Sequence, residues 1–292
     1  MKNAKALKFS PFLASLLIIP TGAVGQNDDR SPRWIDLLDL QLGEFESDPK
    51  LAGINSEIGE IAEYVSARLG VDNAAVRTKI AVQFLPPEAD PSLATDPNRC
   101  PLRGLAMSSK NSHTIMIFID DETLRDQVLG VFAHELGHII QWTGIEGGKS
   151  IAGMFNEGFP TWAAGDYWLR WQGVRSWRAA VRSLIEGDSY IPLSAPSEGA
   201  DSGSGDRPDD CLERRSTRYT QWAALINYLV ETYGQEQLFA LFRQTVDENS
   251  NLDTGAGFPL PRRLSPNFSG IYGKPLSDLE SEWLSEVGVN KL

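Results

Sequence analysis

Hydrophobic residues follow two different periods in the first half of the chain. Between residues 54 and 70 they recur every three or four positions, which predicts a helix that ends at Gly70. Residues 79–85 alternate apolar with polar side chains, and residues 113–120 are apolar on both faces, so both segments are predicted to be strands. Residues 34–42 are predicted to be helical.

The second half of the chain is predicted to be helical. A long, largely buried helix follows the strand 113–120 and runs to residue 142, with Asp120 or Asp121 as its N-terminal cap. Further segments have helical periodicity: 156–171, 175–187, 216–234, 235–248 and 275–288. Residues 187–215 are rich in Ser, Gly, Asp and Pro and predict a long irregular segment. Strands early and helices late are the pattern of an α+β fold.

The first 25 residues have the composition of a cleaved secretory signal. Three lysines precede an apolar run at residues 12–19, and small residues follow it. That run is too short to span a bilayer, and no later stretch is long enough. We therefore expect an exported protein, secreted or periplasmic, without a membrane span in the mature chain. A retained N-terminal anchor is the alternative.

Charge and cysteine content narrow the environment and the partners. Of 292 residues, 41% are hydrophobic, as in a globular protein, and 27 basic residues stand against 39 acidic ones. Removing residues 1–25 takes away three lysines and no acid, so the mature chain is more acidic still. Such a surface repels nucleic acid and anionic membranes, and neither is expected as a partner. Cys100 and Cys211 could form a disulfide in an oxidising compartment; two buried thiols are the alternative.

The sequence VFAHELGHIIQW, residues 131–142, carries candidate chemistry. On a helix, His134 and His138 lie on one face and can direct both imidazoles at one metal ion. Glu135 lies roughly 100° around the helix from His134, beside such a metal, and could take a proton from a zinc-bound water. A helix that merely buries two hydrogen-bonded histidines is the alternative, so a third ligand has to be found.

A carboxylate is the best candidate for that third ligand. The only other histidine, His113, is expected at the surface, at the end of its strand. Glu157 follows His138 after 18 intervening residues, which is enough chain to bring a second helix alongside the first. Pro160 fits such a helix only if it begins near Asn156 or Glu157, because proline lacks an amide hydrogen.

One part of the chain resembles the gluzincin pattern of zinc metallopeptidases. It consists of HELGH, 18 further residues, and then NEG at the start of an aromatic-rich helix. Within that group the chain is similar to the peptidase MA-like family, through RYTQWAALINYLVETYGQEQLFALFRQ and the closing YGKPLSDLESEWLSEVG. The resemblance covers roughly residues 75–288. It implies a zincin-like α+β fold, with a small upper β-sheet, an active-site helix and a mostly helical lower part.

The resemblance also implies roles for individual residues. His134, His138 and Glu157 would bind Zn²⁺, and Glu135 would be the general base that activates the zinc-bound water. Tyr219 would donate its phenol hydrogen to the oxyanion. The alternative for Tyr219 is an aromatic packing residue at a helix start, since Tyr228 and Tyr233 follow closely.

The family layout would divide the chain into a signal peptide at 1–25, an N-terminal helical segment at 26–74 and a catalytic domain at 75–292. The strand 113–119 would border the cleft, the 187–215 loop would cover its other side, and a disulfide would tie the two together. The segment GLAMSSKN lacks the glutamate with which aminopeptidases hold a free amino terminus. The function expected is an exported zinc peptidase acting on peptide or protein substrates. A catalytically silent zinc-binding interaction module with the same fold is the alternative.

Overall fold

The computed structural model describes residues 33–76, 78–95, 100–109, 111–145, 154–193, 208–249 and 261–288. They belong to one compact unit, Pro32–Leu292. The expected signal peptide lies outside the described residues, as does the stretch 194–207 of the expected irregular segment. Within the described residues, no helix combines the length and the apolar character that crossing a membrane requires.

A four-stranded mixed sheet forms one part of the fold. Its strands are β1 (Leu38–Gln41), β2 (Ile80–Leu85), β3 (Gly104–Ser108) and β4 (His113–Phe118), in the order β1-β2-β4-β3. β1, β2 and β4 run parallel, whereas β3 pairs antiparallel with β4 at one edge. The strands predicted at 79–85 and 113–120 are confirmed.

Helices make up most of the remaining described chain. They are α1 (Trp34–Leu37), α2 (Ile54–Leu69), α3 (Pro91–Thr95), α4 (Arg125–Gly144), α5 (Phe159–Trp171), α6 (Trp177–Glu186), α7 (Pro208–Tyr233), α8 (Gln235–Asn249), α9 (Pro261–Tyr272) and α10 (Leu276–Val287). The α+β class is therefore confirmed. α2 ends as predicted, because Gly70 takes the left-handed conformation that glycine adopts without strain.

The hydrophobic core is centred on α4. Every side chain of this helix from Val128 to Gln141 is buried, between the sheet, α2 and α5. A helix that is buried on all sides occupies such a central position, and most of the residues in this stretch are apolar. The predicted long buried helix is confirmed, and residues at its middle are held rigidly on several sides.

Two helix boundaries differ from the predictions. α1 ends at Leu37, and residues 38–41 form β1, because the open edge of β2 offers them backbone hydrogen bonds that outweigh local helical periodicity. α4 begins at Arg125 and not near residue 120. Asp120 instead caps the turn before it, where its carboxylate accepts a hydrogen bond from Thr123 Oγ1 at 2.5 Å.

The later chain contains more helix than predicted. α7 begins at Pro208, so residues 208–215 are helical and not irregular, and Tyr219 lies well inside a helix and not at its start. α9 was not predicted, because Pro266 interrupts its periodicity and proline usually breaks a helix interior.

β4 lies inside the sheet, and its residues are not among the described residues that line the cavities. It pairs with β2 on one side and with β3 on the other, so the prediction that the strand 113–119 lines the cleft is wrong. His113, at the first position of β4, was expected at the surface but is only 6% exposed. Its Nδ1 lies 2.9 Å from Ser108 Oγ of the paired strand, and this hydrogen bond compensates for burial of the ring.

Candidate metal centre

Two histidines on α4 supply two nitrogen donors at one point. His134 and His138 lie one turn apart on the buried part of the helix, with exposed fractions of 4% and 6%. Their Nε2 atoms are 3.1 Å apart, and the ring planes are nearly perpendicular. Both imidazoles are therefore directed at the same small volume, as the four-residue spacing predicts.

Glu157 reaches the histidines because α5 approaches α4 closely. A Cβ added at Gly137 would lie 2.9 Å from Pro160 Cα, so only glycine permits this crossing. Glu157 lies in a π-helical turn, Met154–Gly158, directly before α5. Helical conformation thus begins ahead of Asn156, and the widened turn accommodates the ring of Pro160, which would clash with the carbonyl of an ordinary turn.

The three donor atoms form a nearly regular triangle. Glu157 Oε2 lies 3.4 Å from His134 Nε2 and 3.5 Å from His138 Nε2. Ligands about 2.0–2.1 Å from a tetrahedral zinc ion stand roughly 3.3 Å from one another. The group could hold a metal ion, and its dimensions fit zinc.

The carboxylate and the imidazoles of the group stabilise each other's ionised forms. Burial by itself raises the pKa of Glu157, but the adjacent imidazoles reverse this effect and hold the pKa well below its ordinary value. Burial also opposes protonation of His138, yet the Glu157 carboxylate raises the pKa of that imidazole above its usual value. A carboxylate that stays ionised while buried is the form that binds a cation.

Two neighbouring side chains orient the donors, and no such role for either was predicted from the sequence. Thr161 Oγ1 donates to the Glu157 carbonyl at 2.7 Å and lies 2.9 Å from His134 Nδ1. Its single hydrogen is thus committed, so it accepts from His134 Nδ1–H, and the lone pair of Nε2 faces the donor triangle. Asn156 Nδ2 donates to Glu157 Oε1 at 2.6 Å and leaves Oε2 toward the histidines. Thr161 reaches His134 only because α5 packs against α4, whereas Asn156 is the chain neighbour of Glu157.

Glu135 is held beside the donor triangle by the edge strand β3. Its side chain is buried and accepts a hydrogen bond from the Ala106 N–H. A Cβ added at Gly104 would lie 2.7 Å from Glu135 Oε1, so β3 can approach the carboxylate only with glycine at this position. Burial raises the pKa of Glu135 above its ordinary value, although the neighbouring histidines counteract part of the effect. The carboxylate is therefore a stronger base than one in water.

The donor triangle and Glu135 open into one cavity of about 310 Å³, which β3, α4, α5 and α7 surround. Tyr219 lines it, with its ring stacked on His134 at a centroid distance of 5.6 Å. Tyr228 and Tyr233 are not among the described residues that line it. Each predicted site residue thus borders this cavity. The structure brings Tyr219 to the site but leaves its proposed hydrogen-bonding role a prediction.

Cys100 and Cys211 form a disulfide, so the alternative of two free thiols is wrong. The bond joins the segment before β3 to the first turns of α7, and these elements are two walls of the cavity. Arg215 strengthens the same connection by donating to the Pro101 carbonyl at 3.1 Å. The position of Tyr219 relative to β3 is thereby fixed covalently.

No protein-family model matches this chain, and no curated protein aligns with it significantly.

Proposed function

We propose that this protein is an exported zinc metallopeptidase of the gluzincin type, with a zincin-like fold. The observation that carries the proposal is the donor triangle of His134, His138 and Glu157, together with Glu135 in the same cavity. A structural zinc site usually has four protein ligands and needs no base beside them. Three donors that open into a cavity are typical of a catalytic site.

The three donor residues would hold the zinc ion. When bound, zinc would lower the pKa of a water molecule and polarise a substrate carbonyl. Glu135 would take a proton from the attacking water and return it to the leaving nitrogen. In the metal-free protein burial raises its pKa, and a general base is most effective when its pKa is near neutral pH. Tyr219 would donate its phenol hydrogen to the oxyanion.

A peptide is the substrate that the cavity favours. β3 borders the cavity through Gly104, Leu105 and Ala106, and among the described strands it pairs with β4 alone. An extended peptide can add to such an edge by main-chain hydrogen bonds. The disulfide and residues 1–25 support export to an oxidising compartment, secreted or periplasmic.

Cleavage of a mixed, internally quenched peptide library by the zinc-loaded mature protein tests the proposal. Glu135→Gln is the matched variant, because it keeps the size of the side chain and the three metal donors. We expect turnover by the unmodified protein and its loss in the variant, with equal zinc content in both. Absence of turnover in both, with zinc bound, would contradict the proposal and favour the catalytically silent zinc-binding module.

A further inference from the structure

A second cavity adjoins the one that contains the donor triangle. It has a volume of about 420 Å³ and lies between α6, α7, the end of α5 and the first turn of α4. This volume is in the range of cavities that bind small ligands. The described residues that line both cavities are Arg103, Trp171, Leu212 and Ser216. A chain bound at the donor triangle can therefore continue over this shared wall into the second cavity.

Helix α4 gives the distance between the two cavities. Gln127 lines the second cavity and His134 the first, and the difference of seven positions corresponds to about 10 Å along the helix axis. An extended peptide spans that distance with about three residues. Arg103, on the shared wall, directly precedes β3, the edge at which a peptide would pair. The second cavity therefore lies at one end of this edge, about three peptide residues from the donor triangle.

Neutral groups dominate the polar lining of the second cavity. Its charged lining residues among those described are Arg103 and Glu213, one of each sign, and Arg103 is paired with Asp120 at 2.8 Å. Ser183 and Glu213 are exposed, so the cavity opens to solvent. Its amide and hydroxyl side chains are Gln127, Gln172, Ser183, Ser216, Thr217 and Thr220. Such a lining favours a neutral polar ligand over an ionised one.

The two glutamine amides have hydrogen-bonding capacity for a ligand. Gln172 Nε2 donates to Ser216 Oγ at 3.1 Å, and among the described residues this is the only partner of its side-chain amide. No described residue forms a hydrogen bond with the side-chain amide of Gln127, which is half-buried in the opposite wall. A primary amide can donate and accept at once, as a peptide group does. The pair can therefore bind main-chain amides as well as neutral polar side chains.

We propose that the second cavity is a distal substrate subsite, which binds a neutral polar segment of the peptide about three residues from the cleaved bond. Gln127 and Gln172 would pair with amide and hydroxyl groups of that segment. Trp171, Val174 and Leu184, which also line the cavity, would contact its aliphatic parts. The inference rests on the proposed function, since it takes the first cavity as the place of cleavage.

Isothermal titration calorimetry of the zinc-loaded Glu135→Gln variant tests this inference without any need for turnover. The reference probe is a capped six-residue peptide with Leu and Phe at its centre, because tryptophan and leucine side chains line the first cavity. Four longer probes carry Ser-Gln-Ser or Ala-Leu-Ala at the N-terminal or the C-terminal end. We expect Ser-Gln-Ser at one of the two ends to increase the affinity about tenfold, as for one or two neutral hydrogen bonds. Ala-Leu-Ala at the same end should give a smaller increase.

The matched variants are Ser183→Trp and Arg178→Trp, each added to the Glu135→Gln background. Ser183 lines the second cavity and not the first, so a tryptophan there would fill the subsite and leave the donor triangle unchanged. Arg178 is exposed, lines neither cavity and lies roughly 140° around α6 from Ser183. We expect the gain from Ser-Gln-Ser to vanish in the first variant and to persist in the second.

A third variant tests the chemistry of the subsite separately from its volume. Gln127→Leu keeps the approximate size of the side chain and removes the amide, so Ser-Gln-Ser should bind no better than Ala-Leu-Ala. The affinity for the six-residue reference probe should be the same in every variant. This comparison separates loss of the subsite from a general loosening of the protein.

Equal affinity for the reference and all extended probes, a gain that survives Ser183→Trp, or no binding of any probe would overturn the inference. Cleavage of the same probes by the unmodified protein separates its failure from that of the proposed function. Cleavage that does not depend on the extension would leave a peptidase without a distal subsite. A gain from Ser-Gln-Ser in binding, without cleavage of any probe, would contradict the proposed function and support the second cavity as a peptide-binding site.

Discussion

Replacing Thr161 with valine tests how the fold prepares a metal ligand. The substitution preserves the shape of the side chain and removes the hydroxyl that accepts from His134 Nδ1–H and donates to the Glu157 carbonyl. Thr161 is fully buried, so a water molecule cannot easily replace either bond. His134 would lose the partner that keeps its Nε2 lone pair directed at the donor triangle.

Two magnitudes follow from these contacts. Loss of a partner that orients a metal-binding histidine typically lowers metal affinity about 10- to 100-fold. The His134 Nδ1–H and the Glu157 carbonyl would also remain buried without a hydrogen-bond partner, which lowers the free energy of unfolding of the metal-free protein by about 1–3 kcal/mol. Thr161→Ser is the control, because it keeps the hydroxyl and loses only a methyl group, so its zinc affinity should stay near that of the unmodified protein.

Competition for zinc against a chromophoric chelator measures the affinity, and urea denaturation of the metal-free protein measures the stability. We expect Thr161→Val alone to lose zinc affinity by the stated factor. If its affinity lies within about twofold of the unmodified protein, Thr161 does not orient His134, and the inferred tautomer is wrong.

Three further outcomes follow from other contacts. Gly104→Ala places a Cβ 2.7 Å from Glu135 Oε1 and so displaces the carboxylate of the proposed base. Turnover should fall about 10- to 100-fold, while the zinc affinity stays unchanged. A zinc affinity that falls by the same factor would contradict this prediction. Thiol titration of the denatured, unreduced protein should find no free thiol, and two free thiols would refute the bond. Cys100 and Cys211 are 111 residues apart, so reduction of the disulfide should lower the free energy of unfolding by about 5 kcal/mol. Burial lowers the pKa of His113, so on acidification this imidazole is protonated in the unfolded chain before it is protonated in the folded protein. Between pH 7 and pH 5 the free energy of unfolding should therefore decrease more in the unmodified protein than in His113→Gln. Equal decreases would contradict this prediction.

The parts of the fold that the sequence predicts well are those set by local periodicity. α2 and α4 bury long apolar faces, and β2 alternates strictly, so burial dictates their conformation. β1 was missed because its four residues become a strand only through pairing with β2. α9 was missed because Pro266 hides its periodicity.

The residues of the candidate site also fall into two groups: those that local sequence predicts and those that only the structure identifies. His134, Glu135 and His138 follow from spacing on one helix, and Glu157 from the length of chain after it. Roles for the residues that orient these side chains were not predicted, although Asn156 adjoins Glu157 in the sequence. Thr161 and Ala106 act through one hydroxyl and one backbone N–H, so only the close packing of α5 and β3 against α4 identifies them.

Cobalt substitution tests the central claim, that three protein ligands form an open metal site. Co²⁺ can replace zinc in such sites, and its visible spectrum reports the ligand set. We predict one Co²⁺ per chain, displaced by zinc, lost in His134→Ala, and with a spectrum that changes when a small hydroxamate enters the open position. Failure to bind stoichiometric metal, or a spectrum that the hydroxamate leaves unchanged, would contradict the account.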